Sequence, residues 1–253
     1  MLTIRVVKIG GNELDKPGWV AECATALKKA GPVVVVHGGG QAVSAWSRRL
    51  GLPIEQRDGL RVTTPEVAQL VEMILSGPMN RLLVSALRAA GIDAIGLSGV
   101  DGGLLTAQQM GGGLGEVGEI VDVRTSLLQS LLLAGLTPVV APVVPASGRP
   151  LNVNADQAAS AIAASLGAQE LLFVSDVSGV IVDGVTQPTL DAGEIEPLIE
   201  LGVASGGMAA KLRAAAQALG AGVRAVRIGN LEMFEHATAG TRLLAAPPVV
   251  QPA

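Results

Sequence analysis

The chain has 253 residues, of which 49% are hydrophobic, 16% charged and only 2% aromatic, with a formal net charge of -4. That is enough apolar material for one large or two closely joined α/β domains. The acidic balance, without a basic cluster or an aromatic stacking set, argues against a nucleic-acid binder and points to a small-molecule partner.

A mean hydropathy of +0.49 raises the question of a membrane. The longest apolar stretch, Leu127 to Pro145, is interrupted by Gly135, Pro138 and Pro142, so it falls short of a bilayer-spanning run. The first residues, MLTIRVVKIGG, pass directly into a β-branched strand pattern without features of an export signal. The single Cys23 cannot form an internal disulfide, and its Ala-rich helical setting suits a small buried residue. A cytoplasmic, no-membrane setting is expected.

In chain order, IRVVKIG reads as a strand, Trp19 to Lys29 as a helix, PVVVVHGGG as a strand and Gln41 to Leu50 as a helix. A hairpin centred on Asp58-Gly59 follows, and Pro65 opens a helix rich in Val, Leu and Met. The spacing then predicts a helix over Arg81 to Ala90, a strand AIGLSG, a Gly-rich hairpin region, a helix Leu127 to Leu133 and a strand PVVAPVV. A second α/β half runs through a helix Ala155 to Leu166, a strand ELLFVSD, a short hairpin Val180 to Val185, helices from Glu194 and Met208, and a strand RAVRIG. We place the division near Gly167, giving lobes 1–167 and 168–253, with a continuous or nearly continuous sheet through both.

Lys8 falls at the carboxyl end of the first strand, just before Gly10-Gly11, where open α/β sheets bind ligands. A lysine snorkelling to solvent at a strand end is an equally good account. In VVVVHGGGQ, three glycines between strand and helix aim backbone N–H groups and the helix dipole at one point suited to an oxyanion. A tight turn would need fewer of them, and His37 itself reads as a structural side chain. Arg61, just past the Asp-Gly turn, could hold a carboxylate or be solvated. Asn154 or a neighbour can cap the helix that begins LNVNADQ, with Asp156 in its first turn. Lys211 sits in the opening turns of a helix introduced by Gly206-Gly207, opposing the macrodipole unless an anion binds there. Gly113, Gly115 and Gly118 satisfy G-x-G-x-x-G, but no strand precedes them and a strand follows, so they do not make a dinucleotide site.

The segments KIGGN, VVHGGG, RDGLRVT, LNVNADQAA, VSDVSGV and SGGMAAKLRAA stand in an order and spacing that resembles the acetylglutamate kinases, a branch of the amino-acid kinase family, over essentially the whole chain. The resemblance implies an open, mostly parallel sheet sandwiched between helices in an α/β/α arrangement, with an N-terminal lobe for N-acetyl-L-glutamate and dimerisation and a C-terminal lobe for ATP. It implies that Lys8 and Lys211 stabilise the transferring phosphoryl group and that Asp156 orients them. Gly10, Gly11, Gly39 and Gly40 resemble glycines that approach phosphoryl and substrate. Arg61 and Asn152 resemble the residues that bind the amino-acid end. Asp176, Val177, Ser178, Gly179, Val180 and Ile181, with Val203, Ala204 and Ser205, resemble nucleotide contacts.

A carboxylate already ionised at neutral pH needs no general base to attack phosphorus, so lysines, glycine N–H groups and Mg²⁺ riding on ATP are the expected machinery. Alternatives are a kinase acting on carrier-protein-linked aminoadipate and a catalytically silent sensor on the same fold. With only Met1 and Leu2 ahead of a strand beginning near Thr3, a homodimer insensitive to arginine is expected, in contrast to the hexamers that the resemblance associates with an N-terminal helix.

Overall fold

A computed structural model describes residues 3–11, 13–146 and 148–245. The first half contains β1 (Arg5–Ile9), α1 (Trp19–Leu27), β2 (Val33–His37), α2 (Gly40–Leu50), β3 (Glu55–Arg57), β4 (Leu60–Val62), α3 (Pro65–Ile74), α4 (Asn80–Ala89), β5 (Ala94–Ser98), β6 (Leu105–Gln109), β7 (Val117–Val123), α5 (Thr125–Leu133), β8 (Thr137–Ala141), β9 (Val143–Ala146) and β10 (Arg149–Val153). The second contains α6 (Ala155–Ser165), β11 (Glu170–Val174), β12 (Ile181–Val182), β13 (Val185–Thr186), β14 (Thr189–Asp191), α7 (Ile195–Glu200), α8 (Gly206–Gly220), β15 (Val226–Gly229) and β16 (Thr241–Leu244).

Eight strands form one sheet in the order β14-β16-β15-β11-β1-β2-β8-β5, and only the β15–β16 pair is antiparallel. It runs without a break through both halves, because β1 pairs with β2 on one side and with β11 on the other. Central strands such as Val33–His37 are buried at every position, as a parallel sheet covered on both faces requires. One core cluster packs α5, α6 and α8 on one face, and a second packs α1, α3 and α4 on the other. The layers are therefore α/β/α.

Two expectations need correction. PVVAPVV is not one strand: Pro142 lacks the N–H that a ladder needs, and the chain leaves the main sheet there. It continues as β9 in a separate four-stranded sheet, β6-β7-β10-β9. The sequence reading also set Asn152 with Asn154 and Asp156 just beyond a strand, whereas Asn152 is within β10 of that second sheet.

The helical run Pro65–Ala89 is long and apolar enough, by length and composition, to cross a membrane. Its buried side chains, among them Val67, Leu70, Val71, Ile74 and Leu83, instead belong to the core beneath the sheet. A π-turn at Leu75–Met79, where Pro78 interrupts the helical ladder, divides it into α3 and α4. Thr64 caps α3 by accepting from Val67 N, and Pro65 occupies its first turn.

Candidate functional site

The parallel strands β11, β1, β2 and β8 end on one edge, and the loops there carry most of the residues singled out from the sequence. Lys8, Gly11, Gly39, Gly40, Arg61, Asn152 and Asp156 line one cavity of about 190 Å³. Gly10 ends the strand one residue earlier. The stretch from Asp176 to Ile181 follows β11, and Val203, Ala204 and Ser205 precede α8. These segments belong to the β11 side of β1, away from the cavity wall.

Lys8 and Asp156 are 5% and 6% exposed, and Lys8 Nζ lies 2.7 Å from Asp156 Oδ1. The approach is a close ion contact off the line of a well-directed hydrogen bond, and Asp156 Oδ1 accepts no aligned donor among the described residues. Asp156 is held in place by its helix: Asn154 Oδ1 caps α6, accepting from Asp156 N at 2.8 Å and Gln157 N at 3.2 Å. Burial holds the Lys211 ammonium below the ordinary lysine range, and Lys8 pushes it the same way; Asp156, Glu13 and Asp176 oppose them. The Lys8 and Lys211 ammonium groups are close enough to repel, and Lys8 is in close contact with Asp156, while Glu13 and Asp176 add to the negative field at Lys211.

The two glycine loops touch. A Cβ on Gly11 would lie 2.6 Å from Gly39 N and 2.8 Å from Gly40 N, so only glycine lets the β1 loop reach the start of α2. Arg61 comes from the β3–β4 hairpin, whose tip uses Asp58 and Gly59 at φ 51° and 80°, the backbone of a tight two-residue turn. Arg61 Nη2 donates to Gly40 O at 2.9 Å and Ser44 Oγ at 2.7 Å. Its Nη1 is buried without a partner among the described residues, and burial disfavours its charge. A carboxylate in the cavity would answer both deficits.

On the β11 side, Asp176 Oδ2 accepts from Lys16 Nζ at 2.6 Å. That bond, ahead of other contributions, keeps the Asp176 carboxyl below the usual range. Val180 N donates to Thr241 Oγ1 at 2.8 Å, and Ser178 Oγ meets Thr186 Oγ1 at 2.9 Å.

Sequence reasoning passed over several residues here. Glu13 is 3% exposed, with its Oε2 unpartnered among the described residues and folded against Gly10. Ser44 braces Arg61, and Lys16 pairs with Asp176. Thr63 and Asn80 are fully buried polar residues. The signal for Asn80 was present: a polar residue on the apolar stripe that also buries Leu83 and Leu87. Gly115 of the rejected glycine motif takes φ 76° and seats its bare α-carbon against Thr63 O, and the strand that follows it is β7.

His37 is a structural side chain, as read. Fully buried, its Nε2 accepts from Asn80 Nδ2 at 3.1 Å, so its Nδ1–H is left to donate to Gly38 O at 3.0 Å. Burial pushes its pKa down to about 4. The unfolded ring titrates near 6.5, so the unfolded chain binds the extra proton between those values. The stabilisation is complete above pH ~6.5 and declines as pH falls toward 4, by about 3 kcal/mol. Urea unfolding of wild type and His37→Gln across pH 7 to 4 should show a shallower acid slope in the variant; parallel slopes would refute the assignment. Cys23 is buried in α1 with its thiol pushed up to about 12, first by burial and then by Glu13, so it is not a nucleophile.

An open sheet bearing paired lysines, glycine N–H groups and an arginine at its carboxyl edge defines an α/β enzyme built for anionic small molecules. A sequence model of the amino acid kinase family matches residues 3–230, and the chain belongs to that family. It is similar to proteins named acetylglutamate kinase from Chloroflexus aggregans, 46% identical over 91% of this chain and 93% of that one, and from Roseiflexus castenholzii, 47% identical over 92% of each. Among solved structures, the protein smu.665 of Streptococcus mutans UA159 superposes with a TM-score of 0.85 at 28% identity, over 96% of this chain and 99% of that one.

Proposed function

We propose that this chain is an acetylglutamate kinase, transferring the γ-phosphoryl group of ATP to the side-chain carboxylate of N-acetyl-L-glutamate to give N-acetyl-L-glutamyl 5-phosphate and ADP. The observation that carries the proposal is the cavity joining Lys8, the Gly11–Gly39–Gly40 contact and the half-paired guanidinium of Arg61. The relatives named acetylglutamate kinase support it along nearly their whole length.

In this reading Arg61 and Asn152 hold the amino-acid end, Gly39 and Gly40 offer N–H groups to the reacting carboxylate, and Gly10 and Gly11 face the phosphoryl. Lys8 and Lys211 offset the charge spread over the transferring group, and Asp156 keeps the two ammonium groups from separating. ATP lies along Asp176 to Ile181 and Val203 to Ser205, with the lobes dividing near Gly167. Asp156 and Asp176 at this edge are each in contact with a lysine, and Glu13 is buried against Gly10. Mg²⁺ is therefore taken to ride on the ATP phosphates, where it supplies further positive charge when bound.

The reaction needs no proton transfer, because the acceptor is a carboxylate. Catalysis is alignment of two anions together with relief of their repulsion. Coupled ADP-release assays with N-acetylglutamate, glutamate and 2-aminoadipate test the assignment; turnover restricted to N-acetylglutamate is expected, and a preference for either other acid would sink it. We read the protein as a cytoplasmic homodimer. Exposed Trp46, Leu50, Met73 and Leu82 on α2, α3 and α4 supply apolar area for a second copy to cover. Light scattering that returns a monomer would exclude the dimer.

A further inference from the structure

Thr63 lies behind the cavity, fully buried, one residue past β4. Its Oγ1 is 2.8 Å from Arg61 O and 3.1 Å from Asn152 Nδ2. Its backbone is pinned as well: Thr63 N donates to Leu114 O at 2.9 Å, and Thr63 O accepts from Glu116 N at 2.7 Å. Glu116 O in turn accepts from Asn152 N at 2.9 Å, so a single segment ties Thr63 to the strand that carries Asn152.

A hydroxyl has one proton to give and lone pairs to receive. Arg61 O is a backbone carbonyl and can only accept, so the Thr63 proton goes there. Thr63 Oγ1 can then meet Asn152 only as an acceptor, which requires the amide NH₂ of Asn152 to face it. Which end of an asparagine amide points where is settled by such a network. The carbonyl Oδ1 of Asn152 is left as the other end, on a residue that lines the cavity, and no described residue donates to it.

We infer that Thr63 is a positioning residue that sets the polarity of the Asn152 amide, so that the cleft accepts a substrate N–H and rejects an isostere with oxygen at that atom. The inference rests on N-acetylglutamate being the substrate. Arg61 and Asn152 are then linked through one hydroxyl: the residue that answers the carboxylate and the residue that answers the amide share a buried anchor.

The test compares kcat/KM for N-acetyl-L-glutamate and for its ester isostere, 2-acetoxyglutarate, in wild type, Thr63→Val and Thr63→Ser, with thermal unfolding as the check on folding. Wild type should favour the amide by about 10²-fold or more, since oxygen would face the Asn152 carbonyl. Thr63→Val removes the acceptor and frees the Asn152 amide to turn over, so the preference should fall at least tenfold, mainly through KM. Thr63→Ser should restore it. Asn152→Asp gives a second reading: the Thr63 hydroxyl must turn its proton from Arg61 O to the nearer carboxylate oxygen, but the other oxygen still offers an acceptor to the cavity, so the amide preference should persist even as overall affinity drops. A Thr63→Val enzyme that keeps the wild-type ratio, or an Asn152→Asp enzyme that loses it, overturns the inference. Wild type inactive on N-acetylglutamate would overturn the functional reading itself, and this inference with it.

Discussion

Lys8→Ala and Lys211→Ala should each lower turnover by about 10²- to 10³-fold, equivalent to ~3–4 kcal/mol of transition-state stabilisation. In the proposed mechanism both lysines act on charge that spreads over the phosphoryl oxygens during transfer, so kcat should carry the loss and the KM values should move much less. The two variants should differ in stability. Lys8 is paired with buried Asp156, and removing one member of a buried pair strands the other, a cost that can reach about 3–5 kcal/mol. Lys211 is partly buried, has no close ion pair among the described residues, and Lys8 pushes against its charge. Its loss should leave the melting temperature nearly unchanged while turnover collapses. Lys211→Ala is therefore the cleaner experiment: a folded, fully active Lys211→Ala enzyme would refute the mechanism.

Arg61→Ala should raise the KM for N-acetylglutamate by about 10- to 100-fold, the range expected for a lost hydrogen bond to a charged group, with a much smaller change for ATP. Arg61 lines the cavity with Lys8 and Asn152, and its Nη1 is buried without a partner among the described residues. Arg61→Lys should rescue poorly. A lysine can replace the charge, but it cannot donate to Gly40 O and Ser44 Oγ through one nitrogen of a planar fork and to a carboxylate through another. Because Nη2 also steadies the first turn of α2, some loss of kcat is compatible with the assignment. Equal weakening of both substrates is not, since that would place Arg61 in general scaffolding instead of carboxylate binding. Steady-state kinetics with each substrate varied in turn reads the difference.

Much of the fold was legible because local physics and tertiary structure agree. The apolar runs VVVV and LLFV fit doubly covered parallel strands, and Val33–Val36 of β2 and Leu171–Val174 of β11 are buried accordingly. Asp58-Gly59 marked the centre of a hairpin, and Asn154 or a neighbour was free to cap a helix; the hairpin turns there and Asn154 is the cap. Pro142 was less legible: a proline can edge a strand or end it, and only the competing pairing of Val143 and Val144 with β10 decided that the chain would change sheets.

The sequence alone also narrowed the candidates for the chemistry, because the residue types left few choices. Two histidines, one cysteine and no Walker-type loop exclude most nucleophilic and P-loop routes, while Lys8, Lys211 and the paired glycines remain as anion binders. What it left open at each of those positions was whether the side chain is solvated or enclosed. That is a question of which distant segments meet, and spacing along one chain does not encode it. The approach of Lys8 to Asp156, 148 positions on, the bare contact between Gly11 and Gly39, and the seating of Thr63 between Arg61 and Asn152 arise only when the two sheets and both core layers are assembled. Desolvation, which strengthens the lysines' field and leaves an Arg61 N–H without a partner, follows from that assembly and is therefore a property of the tertiary structure.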